Sequence, residues 1–402
     1  MNLSFDNTEV AFAHKSNRDL KKAYRLFQTF NYPFLVNNGP KLANLALSLR
    51  LPIKGIIKNT LFAQFCGGES IEESYLSAKQ LYENGIGAIL DYSVEGEGTE
   101  EDFQLSYAEL QKVILEAANK PEYPIAVFKC SAIANFKMLE ECTEAIRSGE
   151  KVNLSENPEY KEFSMRMKSL CQLAYKNNVK LLVDAEETWI QDAIDEITYE
   201  NMALYNTETA IVYNTIQLYR KGRIADMQQR IYTAREQGYK VAFKLVRGAY
   251  MEKEGQRSRD MGYDNPIQNS KQDTDDDYDA AIQLCFENRD VVSICAGTHN
   301  EKSSLMLAKL LENSSIEKND DRFWFAQLYG MSDHISYNLA AAGYNIAKYL
   351  PYGPIREVLP YLSRRAQENS SVKGQAGREL SLIASELQRR KLSIYVSNDN
   401  RM

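Results

Sequence analysis

Residues 241–250 read Val-Ala-Phe-Lys-Leu-Val-Arg-Gly-Ala-Tyr, a short apolar run that ends in polar side chains and a glycine. Near-continuous hydrophobicity over so few residues is typical of a parallel strand that is buried on both faces. Seven other runs of this kind alternate with longer amphipathic segments. The eight predicted strands cover residues 88–92, 125–129, 181–184, 210–217, 241–246, 291–296, 323–328 and 346–349.

Eight strands separated by helices predict an α/β protein, a closed (β/α)8 barrel of the TIM type with an N-terminal helical arm. An open, doubly wound sheet would show the same alternation and stays an alternative. No Gly-x-Gly-x-x-Gly follows the first strand, which disfavours a dinucleotide-binding sheet. We expect a helical arm at residues 1–84, the barrel at 85–370, and a closing helix with a tail at 371–402.

The arm is predicted to contain helices at residues 15–30, 41–49 and 56–65, because apolar side chains recur there at helical spacing. In the first of these helices, Tyr24, Phe27 and Phe30 form one apolar stripe. Packing on the barrel is the favoured interpretation of this stripe, and contact with a membrane surface is the alternative.

The composition excludes several classes of protein. A net charge of -7 and a pI near 5.4 argue against nucleic acid as a partner. The sequence has no apolar run long enough to cross a bilayer, and Asp6 and Glu9 make the first ten residues unlike a targeting peptide. We therefore expect a cytoplasmic protein.

Metal sites and disulfides are not expected. The six cysteines show no Cys-x-x-Cys spacing, so they are interpreted as reduced and buried. Only three histidines are present, which makes a histidine-built zinc site improbable. The acidic triplet at residues 275–277 is interpreted as the first turn of a helix, where carboxylates oppose the positive end of the dipole. Metal binding by the triplet is the less favoured alternative.

Polar side chains cluster where the predicted strands end. Barrel enzymes keep their chemistry at the carboxyl ends of the strands, so these side chains predict an active site there. Each one taken alone could equally be a helix cap or a loop residue, but the pattern repeats along the chain. The segments that end in this way are 127–129, 182–187, 216–217, 244–250, 297–300 and 327–330.

The stretch 349–368 leads from the last strand through a Pro/Gly turn into a helix. Residues three and four apart share a helix face, so a phenol, two guanidinium groups and a carboxylate can face one pocket. A pair of arginines grips a planar anion, and an aromatic ring covers the apolar part of its carrier. This face therefore predicts a site for a small carboxylic acid; a solvated surface is the plainer alternative. Its members are Tyr361, Arg364, Arg365 and Glu368.

These motifs, in this order, resemble the proline dehydrogenase family, which are flavin-dependent (β/α)8 barrels. The resemblance implies FAD as the cofactor and oxidation of L-proline to 1-pyrroline-5-carboxylate, the first step of proline degradation to glutamate. It also implies hydride transfer from proline C5 to flavin N5. The matching segments are 182–186, 244–250, 298–300, 327–330 and 349–368, spread over residues 85–370.

The resemblance also implies roles for individual residues. The catalytic positions would be Lys129, Asp184, Arg364 and Arg365, with the two arginines on the substrate carboxylate. The substrate contacts would be Lys129, Asp184, Tyr250, Leu328, Tyr349, Tyr361, Arg364 and Arg365, and Glu95 would pair with Lys129. The flavin contacts would be Gln217, Lys244, Val246, Gly248, Ala249, Thr298, His299, Asn300 and Glu368.

Elementary chemistry agrees with a flavin. No protein side chain accepts a hydride, so oxidising an amine to an imine requires a redox cofactor. A cation near the ring stabilises its reduced anionic form, and Lys244 could supply that charge. Some family members carry Arg at this position, and Lys keeps the charge without the bidentate geometry. Hydroxyproline is the nearest competing substrate; Tyr349 packed against the substrate ring would leave little room for a hydroxyl, which favours proline.

The family likeness further suggests a quinone-type electron acceptor and therefore peripheral contact with the inner face of a membrane. We expect the product to pass to a separate pyrroline-5-carboxylate dehydrogenase. Two other functions stay open on the residues alone: an aldolase that uses Lys129 as a Schiff-base lysine, and a barrel that binds a ligand without catalysis.

Overall fold

A computed structural model describes residues 3–32, 36, 38–39, 49, 52–92, 98–149, 157–371 and 375–392. Eight parallel strands close into a barrel in which each strand pairs with the next and the last pairs with the first. In chain order they are β1 (Gly87–Tyr92), β2 (Ile125–Lys129), β3 (Lys180–Asp184), β4 (Val212–Gln217), β5 (Val241–Val246), β6 (Val292–Gly297), β7 (Phe323–Leu328) and β8 (Ile346–Tyr352).

Helices precede the barrel, alternate with its strands and follow it. Before β1 lie α1 (Thr8–Phe12), α2 (Asn17–Thr29), α3 (Lys54–Ile57), a π-helical segment (Lys58–Phe62), α4 (Ala63–Phe65) and α5 (Ile71–Tyr82). After β1 come α6 (Glu100–Asn119), α7 (Phe136–Arg147), α8 (Pro158–Lys176), α9 (Thr188–Tyr205), α10 (Arg223–Gln237), α11 (Met251–Met261), α12 (Lys271–Glu287), α13 (Glu301–Glu312), α14 (Asp333–Ala341), α15 (Ile355–Ser371) and α16 (Gln375–Arg389).

All eight predicted strands are confirmed, and the closed barrel rules out the open sheet. Two boundaries differ by more than one residue. β4 begins at Val212 because the side-chain oxygen of Asn206 accepts hydrogen bonds from Ile211 N–H and Val212 N–H. The preceding loop therefore extends to residue 211. β8 continues to Tyr352 because its last residues pair with the equally extended β1.

The strands alternate between two hydrophobic layers, as the period of two in a strand requires. On β5, Val241, Phe243 and Leu245 belong to the layer between strands and helices, whereas Ala242 belongs to the barrel interior. Lys244 shares the inward phase with Ala242. The same phase in the other strands turns Lys129, Asp184, Gln217, Leu328 and Tyr349 toward the barrel axis.

The outer ring is completed by a helix that precedes the barrel. Ile71, Ala78 and Leu81 of α5 are buried in the same core as the barrel strands. The backbone just before α5 also joins the barrel, since Gly67 N–H donates to the Pro351 carbonyl at 2.8 Å. The division of the chain at residue 84 stays an interpretation.

The helix that follows β8 packs elsewhere, in a second core that we call the cap core. This core unites α15 with the arm and with α16, and Leu328 at the end of β7 touches both it and the barrel interior. Helix α15 therefore lies beside the mouth of the barrel. The main contributors to the cap core are Phe12, Leu20, Phe27, Phe30, Phe62, Phe65, Val358, Leu359, Tyr361, Leu362, Leu382, Ile383 and Leu387.

The apolar stripe of the arm is part of the cap core. Phe27 and Phe30 are 2% and 4% exposed, and Tyr24 packs against the same core. Membrane contact through these rings was the less favoured interpretation, and their burial argues against it. The predicted helix at residues 41–49 lies outside the described residues, apart from position 49.

The acidic triplet lies one turn further into its helix than predicted. Helix α12 begins at Lys271, because Ser270 and Asp273 form a capping box ahead of the triplet. Asp275 instead pairs with Arg247 and Lys271. No group of three or more His, Cys, Asp or Glu side chains in the described segments is arranged to hold a metal ion. All six cysteines are buried and unpaired.

Across the part of the chain that the structure describes, no helix combines the length and the apolarity that a bilayer crossing demands.

Candidate active site

A buried ion pair forms the inner wall of the barrel mouth, which we call the wall triad: Lys244, Asp184 and Tyr349. Lys244 Nζ donates to Asp184 Oδ1 at 2.5 Å, and Tyr349 Oη donates to the same oxygen at 3.3 Å. The lysine and aspartate side chains are 8% and 12% exposed. The ammonium also lies 4.3 Å from the centre of the Tyr349 ring. The charges of Lys244 and Asp184 thus offset each other within the triad.

Lys129 lies beside this wall, since it pairs with Asp184 across β2 and β3. It is half-buried and is engaged in an interaction of its own. Its neighbour Glu186 accepts hydrogen bonds from Ser131 N–H at 2.9 Å and from the Ser131 hydroxyl. Burial raises the pKa of Glu186 to about 7, against the opposing effects of Ser131 and Lys129. The expected partner Glu95 lies outside the described residues.

The end of β4 is held rigidly. Gln217 is buried, and its Nε2 donates to the Glu186 carbonyl at 2.8 Å and to the Tyr219 hydroxyl at 2.7 Å. Its Oε1 accepts from Arg220 at 3.1 Å. Every polar atom of the Gln217 side chain is therefore engaged within the protein, so this amide is fixed in place before any ligand binds.

The loop after β5 exposes backbone at the mouth. Gly248 adopts φ +79, a left-handed conformation that L side chains rarely adopt. Gly248 and Ala249 are exposed, and Val246 and Tyr250 are half-buried. A planar group could therefore approach the backbone of this loop closely. The Tyr250 backbone N–H points to the Tyr219 hydroxyl at 3.4 Å.

The end of β6 carries a neutral histidine and a helix N-terminus. His299 Nδ1 lies 2.9 Å from Ser332 Oγ, and Nε2 accepts from Leu328 N–H at 3.5 Å. Burial lowers the pKa of His299 to about 3, so the ring is neutral near pH 7. Thr298 Oγ1 accepts from Asn300 N–H, and the Asn300 side chain caps α13. The positive end of this helix dipole faces the mouth and suits an anionic group.

His299 is oriented by a residue that sequence reasoning missed. Ser332 has φ +51, an unfavourable conformation for a serine, and its N–H is held by the buried carboxylate of Glu379. Glu379 lies on α16, and no local pattern links it to residue 299. The sequence signal is the acidic side chain on the buried face of α16, a face that also carries the buried Glu386. The closing helix thus reaches the mouth through a chain of two hydrogen bonds.

The predicted face of α15 assembles Tyr361, Arg365 and Glu368. Arg365 pairs with Glu368 at 2.5 Å, and its guanidinium lies 5.1 Å from the centre of the Tyr361 ring. Tyr361 Oη and Arg365 Nε are buried and have no hydrogen-bond partner among the residues that the structure describes. Arg364 is half-buried beside them and has an interaction of its own. The face therefore offers two buried donors, a phenol and a guanidinium N–H, that no group of the described residues uses.

The described residues fit a flavin. An isoalloxazine needs a nearby cation, which Lys244 can supply, and the phosphates of FAD suit a helix N-terminus such as that of α13. The glycine at position 248 leaves the loop backbone open on one side. Glu368, expected among the flavin contacts, is instead paired with Arg365 here.

The model of the proline dehydrogenase family matches residues 76–378 of this chain. Proline dehydrogenase 1, mitochondrial, of Dictyostelium discoideum is 31% identical over an alignment of 427 residues, gaps included. The alignment covers 96% of this chain and 74% of that protein. Hydroxyproline dehydrogenase of Xenopus laevis is 30% identical over 421 residues, covering 96% and 90%.

Among solved structures, proline utilization A (PutA) of Bdellovibrio bacteriovorus, inactivated by N-propargylglycine, superposes with a TM-score of 0.72 at 18% identity. The match covers 98% of this chain and 42% of that one, so this chain spans less than half of the PutA polypeptide. At such identity the likeness concerns the fold, which agrees with the closed barrel. The family match covers most of the chain, and this protein therefore belongs to the proline dehydrogenase family.

Proposed function

We propose that this chain uses FAD to oxidise L-proline to 1-pyrroline-5-carboxylate. Family membership supports proline dehydrogenase activity. The observation that carries the substrate assignment is the pair of unused donors on α15, Tyr361 Oη and Arg365 Nε, beside a wall whose charges are already balanced. A carboxylate is the group that such donors bind best.

In this proposal the carboxylate of proline binds Arg364 and Arg365, and the pyrrolidine ring lies between Tyr349, Tyr361 and Leu328. Leu328 supports this arrangement because it packs against both the barrel interior, which includes Tyr349, and the cap core, which includes Tyr361. Lys129, Asp184 and Tyr250 complete the polar surroundings. Holding the substrate by two rigid guanidinium groups would favour reaction by orientation.

FAD, when bound, would accept the hydride from proline C5. Its contacts would be Gln217, Lys244, Val246, Gly248, Ala249, Thr298, His299, Asn300 and Glu368. Lys244 would supply the positive charge near the ring, and its bond to Asp184 would hold that charge in place. The neutral His299 can donate only one ring hydrogen, and Ser332 and Leu328 set which nitrogen carries it.

Electrons from the reduced cofactor are proposed to pass to a quinone-type acceptor, and the product to a separate pyrroline-5-carboxylate dehydrogenase. Hydroxyproline is the competing substrate, because the Xenopus relative is named for it. Tyr349 supports proline: its side chain is buried, and its hydroxyl is tied to Asp184. Comparing kcat/KM for the two imino acids tests this preference.

Kinetics of Arg364→Ala test the carboxylate clamp. We expect the KM for proline to rise steeply while the flavin content stays nearly intact, because the arginine would bind substrate and not FAD. Arg356→Ala is the matched control, since Arg356 is exposed on the same helix. Unchanged proline kinetics in Arg364→Ala would exclude the clamp. Asp184→Ala should impair turnover more than folding if its carboxylate belongs to the catalytic surroundings.

Borohydride trapping separates this function from that of a Schiff-base aldolase. A colourless preparation in which a carbonyl substrate and borohydride modify Lys129 would favour the aldolase. Flavin-loaded protein whose colour no amino acid bleaches would favour a binding barrel without catalysis.

A further inference from the structure

The closing helix α16 contacts the corner that follows β6, residues 298–301, through a buried carboxylate. Glu379 is 3% exposed and accepts a hydrogen bond from Ser332 N–H. Ser332 Oγ in turn lies 2.9 Å from His299 Nδ1. Because Leu328 N–H donates to the other ring nitrogen, Nδ1 carries the ring hydrogen and donates it to the serine. These two bonds fix the orientation of the ring.

The conformation of Ser332 depends on the Glu379 carboxylate. With φ +51, Ser332 lies in the left-handed region, which is unfavourable for a residue with a Cβ. A hydrogen bond from a backbone N–H to a carboxylate is stronger than one between neutral groups, and here it stabilises that conformation. Without the carboxylate the buried N–H would lose its acceptor, and relaxation of the backbone would move the serine hydroxyl away from His299.

Glu379 also belongs to a buried group of charges that offset one another. The carboxylates of Asp333 and Glu379 face the ammonium groups of Lys15 and Lys348. Two negative and two positive charges leave no net charge in this group. Removing the charge of Glu379 therefore affects the stability of the fold, whereas removing its hydrogen-bond acceptor affects Ser332. Substitution can separate the two effects.

A second contact from α16 supports the same corner. Arg378 Nε donates to Glu301 Oε1 at 2.8 Å, and His334 Nε2 lies 3.0 Å from the same oxygen. Glu301 is the first residue of α13 and directly follows the cap residue Asn300. Neighbouring residues of α16 therefore hold both parts of the corner, the histidine and the start of the helix.

We infer that Glu379 is a positioning residue of the cofactor site. It holds Ser332 so that the serine hydroxyl orients His299, and α16 thereby sets the geometry of the corner that FAD contacts. Arg378 contributes less, because its contact with Glu301 is partly exposed. The inference rests on the proposed function, in which residues 298–300 are flavin contacts.

Equilibrium dialysis against FAD tests this role. Glu379→Met keeps the length of the side chain but has no acceptor, and we expect FAD binding to weaken about tenfold, the effect of one lost hydrogen bond. Glu379→Gln keeps an acceptor for Ser332 N–H and should bind FAD within about threefold of the wild type. Both variants remove the same charge, so a role limited to stability would give both the same FAD affinity.

Ser332→Gly covers the case in which the Glu379 variants do not fold. Glycine readily adopts a positive φ and keeps the N–H that binds the carboxylate, so the fold should be about as stable as the wild type. The hydroxyl beside His299 is lost, and FAD binding should again weaken about tenfold. Glu386→Met is the matched control, because Glu386 is a buried acid that pairs with two arginines of α16. It should cost stability without changing the affinity for FAD.

The ring of His299 gives a readout that needs no flavin. The chain contains three histidines, so NMR of protein with isotopically labelled histidine can assign the nitrogens of His299 by comparison with His299→Asn. We expect the hydrogen on Nδ1 in the wild type and in Glu379→Gln. Glu379→Met and Ser332→Gly should show a mixture of the two neutral forms.

Several results would overturn the inference and leave the proposed function intact. Glu379→Met and Ser332→Gly would bind FAD like the wild type, or Glu379→Gln or Glu386→Met would weaken FAD binding as much as Glu379→Met. An unchanged His299 tautomer in both Glu379→Met and Ser332→Gly would also overturn it. A wild-type protein that does not bind FAD would overturn both the proposed function and this inference.

Discussion

The wall triad and the face of α15 flank the same mouth, but their polar groups are satisfied differently. On the wall, Lys244 and Tyr349 both donate to one oxygen of Asp184, at 2.5 and 3.3 Å. On the helix, Tyr361 Oη and Arg365 Nε are buried without a partner. The wall is thus organised without a ligand, whereas the helix carries donors that no other described residue uses. The difference separates residues that are held in place by one another before a ligand binds from residues whose donors are left for the substrate.

Among the variants that test this comparison, the one that removes the charge of Lys244 is expected to have the largest effect. Lys244→Met leaves Asp184 buried without its partner, and breaking a buried pair from one side costs about 3–5 kcal/mol. The free energy of unfolding in urea should fall by that amount. The double variant Lys244→Met/Asp184→Asn should recover much of the loss, because no uncompensated charge remains. A single variant as stable as the wild type would mean that the wall is not a coupled pair.

Arg365→Met should affect the ligand more than the fold. A hydrogen bond to a charged group contributes about 1.5–3 kcal/mol, so kcat/KM for proline should fall by roughly 10- to 150-fold. The stability without proline should change little, because the partner carboxylate of Glu368 is 42% exposed. Arg356→Met, on the exposed side of the same helix, provides the comparison. A large loss of stability with normal kinetics would assign Arg365 to the fold instead.

Acidification should lower the stability of the fold through His299. The pKa of His299 is lowered to about 3 by burial, whereas an unfolded histidine has a pKa near 6.5. The unfolded state therefore binds the proton first, and stability falls as the pH drops from about 6.5 toward 3, by up to about 1.4 kcal/mol per pH unit. His299→Asn should reduce this slope in urea unfolding, whereas Arg356→Met, at an exposed position of α15, should not. Equal slopes in both variants would contradict the buried neutral ring.

The smallest expected effects on stability concern two tyrosines on opposite sides of the mouth. Tyr361→Phe removes a buried hydroxyl that has no partner, so the proline-free protein should become more stable by about 1 kcal/mol. Tyr349→Phe removes a hydroxyl bonded to Asp184 and should destabilise by a similar amount. Thermal unfolding of the flavin-loaded variants compares them directly. Shifts of the unfolding temperature in the same direction for both variants would contradict the distinction between the wall and the helix.

The sequence was sufficient to predict the barrel, whereas the roles of the candidate site residues stay predictions. Eight apolar runs and polar strand ends are local patterns, and the inward phase of Asp184, Lys244 and Tyr349 follows from the alternation of each strand. The contact between Glu379 and Ser332 could not be predicted in the same way, because only packing of the closing helix brings them together. The role of α5 in the outer ring also depends on packing, since its amphipathic pattern does not specify which surface it covers.

The most direct measurement is an absorption spectrum of the flavin-loaded protein, recorded anaerobically before and after adding L-proline, alongside Arg365→Met. We predict that proline bleaches the flavin bands of the wild type, and that Arg365→Met requires a much higher proline concentration for the same change. A chain that cannot be loaded with FAD, a coloured protein that L-proline leaves unbleached, or a variant that titrates like the wild type would contradict the binding of proline by α15 against a flavin.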